Sequence, residues 1–301
     1  MTGGSVFGVV RGSLSMLFYV VNTVFWCIPL YIIAIIKFLV PVPWFRRVCN
    51  RLLIAVSFSW IFCNNMNQNI FTRTPVIASG LEGLDREGWY LVVSNHQSWV
   101  DILVLQRVFY HQIPFLKFFL KKELIWVPIL GLAWWALDFP FMKRYSGAFL
   151  KKYPHLKGKD IEITKKACHK FSTMPVSVMN FLEGTRFTRG KHARQQSPYA
   201  HLLKPKAGGI AFVLASMGES LKRIVNVTIV YPPGPNSFWD FVCGRISRIR
   251  VHVETLPITG ELIGDYFEDE AFRDRFQVWV NDLWEAKDRQ IQKLHAENNV
   301  N

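Results

Sequence analysis

The stretch Trp89-Tyr90-Leu91-Val92-Val93, running on into Ser94-Asn95-His96-Gln97-Ser98-Trp99-Val100-Asp101, joins a short apolar run to a polar turn. Such a run, rich in β-branched and aromatic residues, reads as a buried strand, and the turn opens a helix near Gln97. Residues 175–181 and 224–231 read as further strands, and 248–254 alternates apolar and polar residues as a half-buried strand does. Helical patterns lie between them at 128–137, 160–172 and 206–217. The last, 268–294, sets Phe272, Phe276, Trp279, Val280, Leu283 and Trp284 at three- and four-residue spacings, so its apolar face turns inward. Strands alternating with helices predict an α/β fold, a mixed sheet covered by helices.

The 301 residues suffice for a substantial core, half of them are hydrophobic, and only 19% are charged. Disordered chains and small disulfide-stapled scaffolds are excluded. The five cysteines form no C-x-x-C pair and no zinc-type spacing with histidine, which fits reduced thiols and no structural metal. Lys and Arg outnumber Asp and Glu by 36 to 22, and the excess is local: residues 143–170 hold nine basic and two acidic residues, and 186–206 hold six basic and none acidic. A field of this kind suits a phosphate-bearing partner, an acidic lipid surface or nucleic acid. No recognition-helix or aromatic-sheet motif accompanies it, so no nucleic acid is expected.

Residues 12–36 carry no charge over twenty-five positions. As a helix they would reach about 37 Å, enough for a hydrocarbon core of about 30 Å. A second apolar stretch, 52–63, stops at a polar run after twelve residues, too short to span. Between them stand Lys37, Arg46, Arg47 and Arg51 with Pro41, Pro43 and Trp44, a basic and aromatic connector suited to an anionic headgroup region on the cytoplasmic face. The first helix therefore either spans or dips into one leaflet, and the second lies along the interface. The expected division is 1–70 for membrane-anchoring helices and 71–301 for an α/β domain.

Two strand ends carry the chemistry. His96 and Asp101 flank a first helical turn, where the carboxylate can hold one imidazole nitrogen and leave the other as a proton acceptor. The bland reading is an N-cap Asn95 and a satisfied histidine. The other end is Glu183-Gly184-Thr185-Arg186, whose occurrence by chance in a chain of this length is roughly 0.002. Gly184 permits close approach of a ligand, Thr185 offers a hydroxyl, and Arg186 a planar fork for phosphate.

His96-x4-Asp101 followed by Glu183-Gly184-Thr185-Arg186 resembles the glycerolipid acyltransferase family, and later stretches, among them Leu203-Lys204-Pro205-Lys206, resemble its lysocardiolipin-type branch. Its arginine motif is matched by Phe141-Met142-Lys143-Arg144 and its Lys-Glu-Leu stretch by Lys122-Glu123-Leu124. A proline common before the glutamate is Leu182 here. The resemblance implies a membrane-bound enzyme moving a fatty acyl group from acyl-CoA or acyl carrier protein to a lysophospholipid hydroxyl, with 1-acyl-sn-glycerol-3-phosphate as acceptor. It implies His96 as base oriented by Asp101, and Arg186, Arg144 and Lys122 as phosphate ligands. Asn95, Glu183, Gly184 and Thr185 would support the loops, with no cofactor and no metal. A headgroup-bearing lysophospholipid is the alternative acceptor. A Ser98–His96 hydrolase and a non-enzymatic protein binding acidic lipid are the rival classes.

Overall fold

The structure, a computed structural model, describes residues 6–142, 174–218, 220–232 and 237–297. Arg144 and the helix expected over 160–172 lie outside the described residues.

The chain opens with two long helices, α1 (Val6–Leu39) and α2 (Pro43–Asn67). α2 begins on Pro43, where a missing N–H costs no helical bond, and passes into a π-turn, Gln68–Thr72, that Arg73 ends with a left-handed φ of 55°. The helix is twice the length of the apolar stretch that announces it. The polar run continues the helix because its amides find partners on α1: Asn22 Nδ2 donates to Asn64 Oδ1 at 2.8 Å, and Asn67 Nδ2 to the Ser15 carbonyl at 3.3 Å. Arg46, Arg47 and Arg51 accordingly belong to the first turns of α2, not to a connector.

Then follow β1 (Val76–Ser79), β2 (Tyr90–Ser94), α3 (Val100–Val108), β3 (Leu116–Phe118), β4 (Leu120–Lys121), α4 (Leu130–Ala136), β5 (Phe141–Met142) and β6 (Ser177–Phe181). The remainder is α5 (Arg189–Gln195), α6 (Ala207–Met217), β7 (Arg223–Val230), α7 (Phe238–Val242), β8 (Ile249–Pro257) and α8 (Glu270–Ala296). Six strands form one sheet in the order β1-β8-β7-β2-β6-β3, while β4 and β5 pair separately. β7, β2, β6 and β3 run parallel; β8 is antiparallel to β7, and β1 runs with β8. The sheet is mixed, as the alternation predicts.

β2 is buried at all five positions because both of its faces are covered. Tyr90 and Val92 face a cluster containing Val104 of α3, Phe241 of α7, and Tyr19 and Ile61 of the N-terminal helices. Leu91 and Val93 face the opposite cluster, where α6 gives Ile210 and Leu214 and α8 gives Phe276, Val280 and Trp284. The fold is three layers, with α1 and α8 on opposite sides of the sheet. The carboxyl ends of β7, β2 and β6 stand side by side, the position at which open α/β sheets place their sites.

Candidate active site

The β2–β7 ladder ends at Ser94 opposite Val227. Beyond it the buried Asn95 extends the pairing with its side chain, donating to the Ile229 carbonyl at 2.9 Å and accepting the Ile229 N–H at 2.9 Å. Asn95 is thus a strand stitch rather than the helix cap the bland reading assigns. The turn that follows is closed by Asp101, whose Oδ2 accepts Gln97 N–H at 2.7 Å and Ser98 N–H at 3.0 Å.

The same Oδ2 lies 2.8 Å from His96 Nδ1, and Asp101 Oδ1 accepts the Tyr231 hydroxyl at 2.5 Å. The Asp101 side chain is fully buried, while that of His96 keeps 12% of its surface open. A carboxylate on Nδ1 fixes the proton there and leaves Nε2 as the acceptor. Phe181 stacks on the imidazole, centroids 4.0 Å apart and planes 14° apart, and limits its rotation. Burial and the neighbouring Asp101 charge hold the Tyr231 phenol well above its usual range, so it stays a donor.

β6 pairs directly with β2, and this brings the second motif beside the first. The buried Glu183 receives the His96 N–H on Oε1 at 2.7 Å and the Leu203 N–H on Oε2 at 3.1 Å. Burial pushes its carboxyl up, against the pull of these two donors. The Phe187 N–H reaches the His96 carbonyl at 2.7 Å, so backbone contacts on both sides fix the histidine. Gly184 turns the chain at φ 63°, a conformation that costs glycine little. Thr185 accepts Lys191 Nζ at 2.8 Å, and the same ammonium donates to the Arg186 carbonyl at 2.9 Å.

The Arg186 guanidinium lies 4.4 Å from the ring centroid of Trp99, three residues beyond His96 and itself half exposed. Stacking leaves the edges of the guanidinium open for an anion. Lys122 is exposed at the end of β4, and among the described residues no contact ties it to His96 or Arg186. Ser98 is buried, with Oγ accepting the Val100 N–H at 3.3 Å, the posture of a turn residue.

One residue escapes the sequence reading as part of this site, Tyr231, whose signal was its place just past the carboxyl end of a parallel strand. Lys287, a charge within the apolar stripe Leu283, Trp284, Ile291 and Leu294, is buried against β7 and donates to Val227 and Thr228. Among the described residues no group of three or more His, Cys, Asp or Glu side chains is gathered as a metal site. The arrangement offers a proton acceptor of fixed tautomer beside a guanidinium, the equipment for activating the hydroxyl of a phosphate-bearing molecule.

Known proteins share this architecture. A crystal structure of the 1-acyl-sn-glycerophosphate (LPA) acyltransferase PlsC from Thermotoga maritima matches 95% of this chain and 96% of its own, with a TM-score of 0.55 at 16% identity, a likeness of fold. The mouse 1-acyl-sn-glycerol-3-phosphate acyltransferase epsilon is 22% identical over 293 residues, 87% of this chain and 73% of that protein. The sheep 1-acyl-sn-glycerol-3-phosphate acyltransferase alpha is 31% identical over 172 residues, 56% of this chain and 48% of that protein. The acyltransferase family model matches residues 75–231, more than half of the chain and a span that includes His96, Asp101, Glu183, Arg186 and Tyr231. On that match, the chain belongs to the acyltransferase family.

Proposed function

We propose that the chain transfers a fatty acyl group from a thioester donor, acyl-CoA or acyl carrier protein, to the free hydroxyl of 1-acyl-sn-glycerol-3-phosphate. The contact of His96 Nδ1 with Asp101 Oδ2, at 2.8 Å, carries the reading. His96 Nε2 takes the hydroxyl proton as the oxygen attacks the thioester carbonyl. The tetrahedral intermediate collapses, the C–S bond breaks, and the thiolate takes the proton back from the imidazolium. Asp101, supported by Tyr231, stabilises that imidazolium without accepting its proton. A positioned base of this kind contributes about 10²–10⁴-fold, with orientation of the two substrates supplying much of the rest.

Arg186 holds the acceptor phosphate in this scheme, joined by Arg144 and Lys122 from the motifs that resemble the family's. Asn95, Glu183, Gly184 and Thr185 hold the two loops. The names of the relatives favour lysophosphatidate over headgroup-bearing acceptors.

A membrane setting for residues 1–70 is supported by α1, the one described helix long and apolar enough to cross a bilayer. Its packing favours a helix lying along one leaflet beside the domain at 71–301. Gly12 abuts Cys243, Tyr19 meets Phe238, Tyr31 bonds the Ile129 carbonyl, and Lys37 pairs with Asp138 at 2.9 Å. An isolated crossing would leave those partners in hydrocarbon. The basic residues at the α1–α2 elbow favour the cytoplasmic face.

The test is an acyl-transfer assay of the reconstituted protein with both donors against lysophosphatidate and headgroup-bearing lysolipids. Arg186→Ala is expected to raise KM for lysophosphatidate about tenfold or more with a smaller change in kcat. An unchanged KM removes Arg186 from the phosphate site.

A further inference from the structure

Residues 124–137 carry no charge over fourteen positions, directly after Lys121, Lys122 and Glu123. They finish a 3-10 turn (Lys122–Trp126), bend sharply and continue as α4. Gly131 closes the bend on the turn, since a Cβ there would stand 2.0 Å from the Ile125 carbonyl oxygen. The inner side of this unit is small: Ala133 and Ala136 pack in one cluster with Cys27 and Leu30 of α1 and Leu53 of α2. The outer side is large and open, with Trp126 84% and Trp135 50% exposed and Ile129 and Leu132 exposed as well.

Two contacts fasten the unit along the last turns of α1. The Tyr31 hydroxyl donates to the Ile129 carbonyl at its start, and Lys37 pairs with Asp138 at its end, at 2.9 Å. Tyr31 and Lys37 are about 9 Å apart along the helix axis, so α4 runs beside α1 in the same direction. Ile32 and Ile35 of α1, both more than half exposed, lie between those two contacts.

The bend is costly in itself. Ile129 stands at its centre with φ 66° and ψ −62°, and the Leu130 N–H reaches the Pro128 carbonyl at 2.7 Å, a γ-turn that is strained for any residue but glycine. Glycine would make the same turn more easily. What isoleucine adds is an exposed apolar side chain, and a lipid leaflet gives it and the two tryptophans a partner that water does not.

We propose that residues 124–137 are a second membrane contact, a wedge of the α/β domain that enters the same leaflet as α1, with Lys121 and Lys122 at the level of its anionic headgroups. The inference rests on the membrane setting of α1. Tied to α1 at both ends, the wedge meets lipid wherever that stretch of α1 does, and the paired lysines outnumber Glu123 at its shoulder.

The experiment uses the full-length protein and vesicles of phosphatidylcholine and phosphatidylglycerol, titrated around the wild-type binding midpoint. Trp126→Gln/Leu132→Gln should lower vesicle partition about tenfold or more with an unchanged unfolding midpoint. Ile129→Gly should also lower partition while holding or raising the unfolding midpoint, a combination that a purely structural isoleucine would not give. With brominated acyl chains in the vesicles, Trp126→Phe/Trp135→Phe should lose part of the quenched tryptophan emission of the wild type. Wild-type partition and wild-type quenching in these variants, with Val21→Lys on α1 still weakening partition, overturn the wedge alone. A Val21→Lys variant as well bound as the wild type refutes the membrane setting of α1 and the wedge with it. If the glutamine variant instead turns a dimer into a monomer and leaves partition unchanged, the face belongs to a second copy and the inference is overturned.

Discussion

α1 and α8, at 34 and 27 residues, cover opposite sides of one sheet, and they are built inside out relative to each other. α8 buries Phe272, Phe276, Val280, Leu283 and Trp284 and, apart from the buried Lys287 and Asp288, turns most of its charged residues to solvent. α1 buries Gly12, Ser15 and Asn22 among its inward residues and leaves Leu17, Val21, Phe25, Ile28 and Ile32 at least half exposed. Exposed apolar residues continue onto α4 and the turn before it, at Trp126, Ile129, Leu132 and Trp135. An apolar face of that extent marks an interaction surface. The difference teaches that one side of the sheet ends in a polar face and the other in an apolar one, the asymmetry that the proposed membrane setting requires.

Three substitutions probe that contrast. Trp284→Ala should have the largest effect on folding, about 3–5 kcal/mol, because it empties a fully buried site and removes the bond to Leu203; denaturant unfolding measures it. Val21→Lys on the open face of α1 should weaken membrane retention by about 1.5–3 kcal/mol, the burial of one apolar side chain, while leaving the core intact, read by loss of protein from floated vesicles. Val278→Lys, on an equally open position of α8, should change folding by about 0.5 kcal/mol or less and membrane retention not at all. If Val21→Lys is as silent as Val278→Lys, the two faces do not meet different solvents.

Much of this was legible in the sequence because local patterns carried it. The inner face of α8 follows from its three- and four-residue spacings, and the strand ends bearing His96 and Glu183 from apolar runs that stop at polar turns. What stayed hidden depends on partners far along the chain. The length of α2 is set by Asn22 and Ser15 accommodating Asn64 and Asn67, so a polar run that looks like a helix end is an interhelical seam. Tyr231 meets Asp101 across 130 residues of sequence, and the oxygens of Glu183 meet the backbone N–H groups of His96 and Leu203, 87 and 20 residues away. Lys287 could have been noticed as a charge in an apolar stripe, but only the β7 carbonyl beside it shows where the charge goes.

The central claim is that a base of fixed tautomer at the end of β2 drives the transfer. Turnover of a thioester donor by reconstituted His96→Ala, with lysophosphatidate as acceptor and folding verified by an unchanged unfolding midpoint, tests it most directly. The account predicts a loss of about 10²–10⁴-fold in kcat with little change in KM. Near-normal turnover in that variant would contradict it.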